Sequence, residues 1–183
     1  MSEVEAILTE IASVLSVIDS ENELKRFAVP LQAAKRIFVV GEGRSGFMAK
    51  SFAMRLMHLG ATAYVVGETI TPAMAAGDVI VAVSGSGKTQ SVLMVSEKAR
   101  QLGCKVLSVT TDPKSRLGEL ADVVLHVPAA TKYRQQGEQA SIQPLGSLFD
   151  QCTHLLLDAV CLRYAKLNSV NNEKAFARHS NLE

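Results

Sequence analysis

Two short stretches of this 183-residue chain have the residue types that bind phosphate. The first is Gly41-Glu42-Gly43-Arg44-Ser45-Gly46, which satisfies GxGxxG and follows an apolar run. The second is Ser84-Gly85-Ser86-Gly87-Lys88-Thr89-Gln90, which follows another such run. Glycines let a backbone turn tightly and approach an anion, and hydroxyls add donors at a helix N-terminus. A dinucleotide reading of the first loop needs an acid near the end of the next strand, and Glu68 roughly meets that need. Arg44 and Ser45, however, stand where a pyrophosphate needs unobstructed backbone, and they suit one phosphate or a sugar better. A tight strand-to-helix turn without a ligand stays open as a third reading. The second loop is a near miss for GxxxxGK[ST], because Ala82 holds the first glycine position. Its alternation of Ser and Gly fits one terminal phosphate held without a metal, and an N-capping loop with no ligand is the plain alternative. Together the loops describe a site for a phosphorylated, hydroxyl-rich small molecule.

The elements around them give those loops their position. Val4, Ile7, Leu8, Ile11, Val14, Leu15 and Ile18 form one helical stripe over 2–19. A second helix is expected over 21–34, shortened or kinked at Pro30. The period then shortens to strands at 36–40, 62–66, 78–83, 105–110 and 121–127. Helices are expected over 45–59, with Gly60 closing it, over 89–102 and over 147–167, and a short one near 172–178. Strands alternating with helices argue for a doubly wound, Rossmann-like α/β sandwich on a parallel sheet. Residues 128–144 are polar and aperiodic, and such loops often carry function. No linker, repeat or low-complexity segment interrupts the chain. One domain over 1–183 is therefore expected, with N-terminal helices in 1–35, a core in 36–167 and a tail in 168–183.

Composition excludes several classes. The chain is 48% hydrophobic, which is incompatible with wholesale disorder. Nineteen basic and 18 acidic residues leave a net charge of +1. The first 26 residues carry six acids against Lys25 and Arg26, so no basic nucleic-acid arm is expected there. Cys104, Cys152 and Cys161 form no CxxC pair and no metal-ligand spacing, which fits a reducing compartment. With no signal-peptide pattern and no long apolar run, a cytoplasmic protein free of membrane is expected.

A wider set of residues bears a resemblance to a known family. Gly43-Arg-Ser-Gly46, Ala53-Met-Arg-Leu-Met-His-Leu-Gly60, Val66-Gly-Glu68, Thr71-Pro72, Ser84-Gly-Ser-Gly87, Ile142-Gln-Pro-Leu-Gly-Ser-Leu-Phe149 and Asn181-Leu-Glu183 resemble the sugar isomerase (SIS) domain family. The match runs over about 36–183, and the Ser/Gly loop alone marks only the wider family. The resemblance implies a three-layer αβα sandwich with a five-stranded parallel sheet, assembled as a homotetramer. It implies a phosphosugar substrate, no cofactor, no metal and no nucleotide. The activity implied is interconversion of a 3-hexulose 6-phosphate and fructose 6-phosphate, in formaldehyde fixation. An isomerase for a pentose or heptose phosphate, or a non-catalytic sugar-phosphate sensor, is the alternative; a sensor that regulates transcription would need a DNA-binding domain that residues 1–35 are too short and acidic to supply.

Such an isomerase moves a carbonyl between C3 and C2 through an enediol, so it needs a base. The family's base is a Glu after the Gly-Ser-Leu-Phe segment, and Asp150 holds that position here. Asp is shorter by one C–C bond, about 1.5 Å, and a misplacement of about 1 Å can cost about a hundredfold in rate. Ser147-x-x-Asp150 also reads as a capping-box variant, a purely structural role. His58 either complements its helix's C-terminal dipole or serves ring opening and proton relay. His179 lies in the tail, which the resemblance sends to a neighbouring subunit's site. Substrate contacts are expected from Gly43, Arg44, Ser45, Ser84, Gly85, Ser86, Gly87, Lys88, Thr89 and Gln90. His126 and His154 read as structural, and Asp158 as paired or at an interface.

Overall fold

The structure is a computed structural model that describes residues 2–134 and 138–182. Residues 135–137, within the polar loop singled out above, lie outside the described residues.

Five parallel strands form one sheet: β1 (Ile37–Gly41), β2 (Ala63–Val65), β3 (Val79–Val83), β4 (Lys105–Thr110) and β5 (Val123–His126), in the order β2-β1-β3-β4-β5. Side chains alternate between the two faces of a strand, so each strand feeds two cores. Val39, Val81, Val83 and Val109 join one core; Phe38, Val40, Ile80 and Ala82 join the other. Both faces of the central strands are buried, which is why these strands read as continuous apolar runs.

Helices cover both faces. The first core takes α1 (Glu3–Ser16), α2 (Ser20–Ala33), α3 (Gly43–His58) and α6 (Ser147–Leu167). The second takes α4 (Gln90–Gln101) and the one-turn α5 (Arg116–Leu120). A short α7 (Asn172–Phe176) follows α6. The chain leaves β1 through α3 to β2 on one side, then crosses back to β3 on the other side of β1. Right-handed crossovers running in opposite directions place their helices on opposite faces. The gap between β1 and β3 is thus the topological switch point, where open α/β sheets bind ligands.

Several boundaries differ from the sequence expectations for local reasons. α2 runs through Pro30 to Ala33, because the hydrogen bond that Pro30 cannot donate is the one toward Arg26, an exposed residue. α3 starts at Gly43, two residues early, and that glycine makes the turn out of β1 at φ +56°. α5 was not foreseen; one turn is too short for periodicity, and its signal was the Ser115 cap, which accepts from Gly118 N. Gly60 ends α3 at φ +95°, as expected.

Candidate active site

A cavity of about 530 Å³ opens at the C-terminal ends of β1 and β3. That size suits a small metabolite. Its walls come from the β1–α3 turn (Glu42–Ser45), the β3–α4 loop (Val83–Ser86, Lys88, Thr89), the loop at Thr131–Tyr133, and the start of α6 (Leu145, Gly146, Phe149, Asp150).

Three long helices begin at this cavity, and none is capped by a side chain. The N-cap residues are Glu42 for α3, Thr89 for α4 and Gly146 for α6, each without a side-chain capping bond. Thr89 has a hydroxyl that could cap α4, yet its Oγ1 lies 2.9 Å from Ser84 Oγ instead. Uncapped helix N-termini offer N–H donors and positive potential to an anion. Lys88, exposed at the loop tip, adds a full charge.

The glycines that shape these turns have little freedom to change. A Cβ on Gly46 would stand 2.7 Å from the Gly41 carbonyl oxygen, so α3 could not approach β1 as closely. Gly87 has φ +61°, and a Cβ there would stand 1.9 Å from Ser115 Oγ. Gly87 is buried beneath the loop and is absent from the cavity wall; it shapes the cradle from below.

Asp150 faces the anion cradle from the first turn of α6. It is 5% exposed, its Oδ1 accepts a hydrogen bond from Ser45 Oγ at 2.9 Å, and its Oδ2 pairs with Arg44 Nε at 3.2 Å. The capping-box reading fails: Ser147 is the first residue inside α6 rather than its cap, and the Asp150 side chain reaches across to α3. The residues 105 and 106 positions apart that meet here are thus joined by side-chain chemistry of the kind a carboxylate base needs.

Of the other expected site residues, Gly43, Arg44, Ser45, Ser84, Gly85, Ser86, Lys88 and Thr89 line the cavity. Gln90 does not; it is exposed on the first turn of α4. His58 and His179 do not line it either. His58 ends α3, about 22 Å along the helix from Gly43 at 1.5 Å per residue. Its ring is buried, its Nδ1 has no hydrogen-bond partner among the described residues, and it stacks on His179 with centroids 5.2 Å apart. Burial first, then Arg55 and His179, holds the His58 pKa below the ordinary imidazole value. His126 Nε2 meets the Thr111 carbonyl, and His154 pairs loosely with Asp158 at 3.6 Å on an exposed face of α6.

Sequence reasoning missed Glu42, Thr131–Tyr133, Leu145 and Phe149 in the cavity wall. Glu42 lay inside the glycine-rich stretch, and its carboxylate accepts from Ser91 Oγ at 2.7 Å, tying the α3 and α4 starts together. Phe149 packs where a Cβ on Gly85 would stand, 3.2 Å from its ring. Among the described residues no group of His, Cys, Asp and Glu is placed to hold a metal ion, and no helix is long and apolar enough to cross a membrane.

Comparison with known proteins follows the same lines. The sequence model of the SIS domain matches residues 30–155. A 3-hexulose-6-phosphate isomerase of Bacillus subtilis is 41% identical over 97% of this chain and 95% of its own length. One from Mycobacterium gastri is 40% identical over 95% of this chain and 86% of its own. The crystal structure of a hypothetical protein from Methanococcus jannaschii, described as inferring a molecular function of 3-hexulose-6-phosphate isomerase, superposes with a TM-score of 0.85 at 30% identity. That superposition covers the whole of both chains.

Proposed function

The chain belongs to the SIS domain family, and we propose that within it the protein interconverts D-arabino-hex-3-ulose 6-phosphate and D-fructose 6-phosphate. One observation carries this reading: a buried carboxylate, Asp150, at the start of α6 shares one cavity with the anion cradle of the β3–α4 loop. The full-length relatives named for this reaction supply the substrate.

The substrate phosphate sits in the β3–α4 loop, on backbone N–H groups near Gly85 and the hydroxyls of Ser84, Ser86 and Thr89, with Lys88 beside it. That anchors C6 and points the open-chain sugar toward α6. Asp150 removes the proton from C2, next to the C3 carbonyl. The electron pair moves into a C2–C3 double bond and O3 takes up a proton, giving the enediol. O2 then loses its proton as the C2 carbonyl forms, and the proton on Asp150 returns to C3. Atoms balance without an external reductant or oxidant. Ser45 fixes one carboxylate oxygen and Arg44 the other, so the base is oriented before substrate arrives.

The working unit in this reading is a cytoplasmic homotetramer. Phe47, Met54 and Met57 along α3, and Leu155 and Leu162 on α6, leave apolar surface for subunit contacts. The His58–His179 pair, remote from its own chain's cavity, serves a neighbour's. In the direction of formaldehyde fixation the product is fructose 6-phosphate. The assignment is tested by supplying the 3-ulose, made enzymatically from formaldehyde and ribulose 5-phosphate, and following fructose 6-phosphate. Turnover in chelated buffer is expected; absence of product from folded protein would overturn it.

A further inference from the structure

We propose that Glu10 is a positioning residue of this site: from α1 its carboxylate clamps residues 141–143 and so sets the start of α6, which carries Asp150. The inference rests on the function proposed above and adds a part of the chain outside the cavity to its machinery.

The clamp is a set of charge-assisted bonds. Glu10 Oε1 accepts from Ile142 N at 2.7 Å, and Oε2 accepts from Ser141 Oγ at 2.8 Å and Gln143 Nε2 at 3.0 Å. Bonds to an ionised acceptor are stronger than neutral ones. One turn further along α1, Ser13 Oγ receives Gln139 Nε2 at 2.7 Å. Burial alone would raise the Glu10 pKa, but these three donors and the nearby Arg134 charge hold it below the ordinary carboxylate value. α1 is itself well founded for this task. Ser2 and Glu5 form a reciprocal capping box at its start, and Val14 is fully buried in the core.

What is clamped leads straight into the site. Gln143 is 6% exposed, and its carbonyl is held from the other side by Arg134 Nη2. Three residues follow before α6: Pro144, then Leu145 at φ +54° and Gly146, both in the cavity wall. A leucine with positive φ persists only where its surroundings enforce it. Gly146 lacks a side chain to cap α6, so the approach to the helix is held by the residues before it and by the packing of its first turn. The fixed point nearest upstream is the Glu10 clamp. A shift there passes through three residues to the start of α6 and through its first turn to Asp150, and about 1 Å at a catalytic group can cost about a hundredfold. The phosphate cradle hangs from β3 instead, so the clamp bears on turnover more than on phosphate binding.

The test pairs kinetics with amide hydrogen exchange on Glu10→Ala and Glu10→Gln. For Glu10→Ala the expected result is a kcat lower by about tenfold or more, a nearly unchanged KM, and faster exchange confined to residues 141–147. Glu10→Gln keeps an acceptor for Ile142 N and is expected to recover much of the loss. Wild-type kcat in folded Glu10→Ala, or a loss spread equally over kcat and KM, would overturn the proposal. If wild-type protein shows no turnover, the functional reading falls first. Unchanged exchange at 141–147 in Glu10→Ala would then overturn the clamp as well.

Discussion

Asp150 carries two hydrogen-bonding partners from α3, and each oxygen of its carboxylate is engaged. A carboxylate held in this way is oriented before substrate binds, and the loss of one partner loosens it. Ser45→Ala is expected to lower kcat by about tenfold while KM changes little, because its hydroxyl positions the base rather than the phosphate. Steady-state kinetics on the 3-ulose would check this; a pure KM effect would instead put Ser45 on the substrate. At this scale the sequence was legible where chemistry is local. Ser84, Gly85, Ser86 and Thr89 stand together in one loop, and their types announce an anion site. It was illegible where partners are distant. Nothing in Ser147-x-x-Asp150 separates a cap from a base until Gly146 is seen to be the cap and Ser45 the partner. Glu10 is 131 to 133 residues from the donors it receives, and no spacing rule links them.

Strands β1 and β3 bear the two loops, and a polar latch at their opposite ends holds them in register. Arg36 Nε and Nη2 reach Asp78 at 3.0 and 2.6 Å, and Ala75 N donates to the same carboxylate at 2.8 Å. Asp78 is 2% exposed, so Asp78→Asn leaves donors without their charged acceptor. It is expected to cost about 2 kcal/mol of stability, read as a lower urea midpoint with unchanged slope. The acid limit of stability follows from the same contacts. Burial raises the Asp78 pKa, but Arg36 and Ala75 N bring it below the ordinary 3.8; Glu10 likewise lies below 4.5. Their contribution is full above those values and is lost as pH falls through the lower folded ones. His58, held below 6.5, resists protonation in the folded state, so stability should begin to fall already as pH drops below about 6.5. Thermal unfolding followed from pH 8 to pH 3 should show the shallow loss first and the steep loss later. His58→Phe should remove the first part. Five strands and the long helices were readable here because strands buried on both faces read as short continuous apolar runs and amphipathic helices as a 3.6-residue period. α5 was not, because a single turn has no period.

In the whole molecule, the SIS sandwich brings Asp150 to one end of α3 and leaves the His58–His179 stack at the other. A subunit that uses its own Asp150 and a neighbour's histidine should therefore complement in hybrids. Mixing Asp150→Ala with His179→Ala subunits under exchange is expected to regain turnover that neither shows alone; exchanged hybrids without activity would argue against a shared site. Light scattering during chromatography should report four subunits. The parallel topology followed from the alternation of elements; the strand order that puts the switch point between β1 and β3 came from the structure. The path of the tail was not legible in the sequence, because residues 168–182 have little buried apolar pattern to fix it. The role proposed for Asp150 is proton transfer in a pocket that binds sugar phosphate independently of it. The direct measurement compares wild type and Asp150→Ala for conversion of the 3-ulose to fructose 6-phosphate, coupled to NADPH formation, alongside thermal stabilisation by fructose 6-phosphate. The expected result is rapid conversion by wild type, none by the variant, and stabilisation of both. Near-normal conversion by Asp150→Ala would rule out Asp150 as the base.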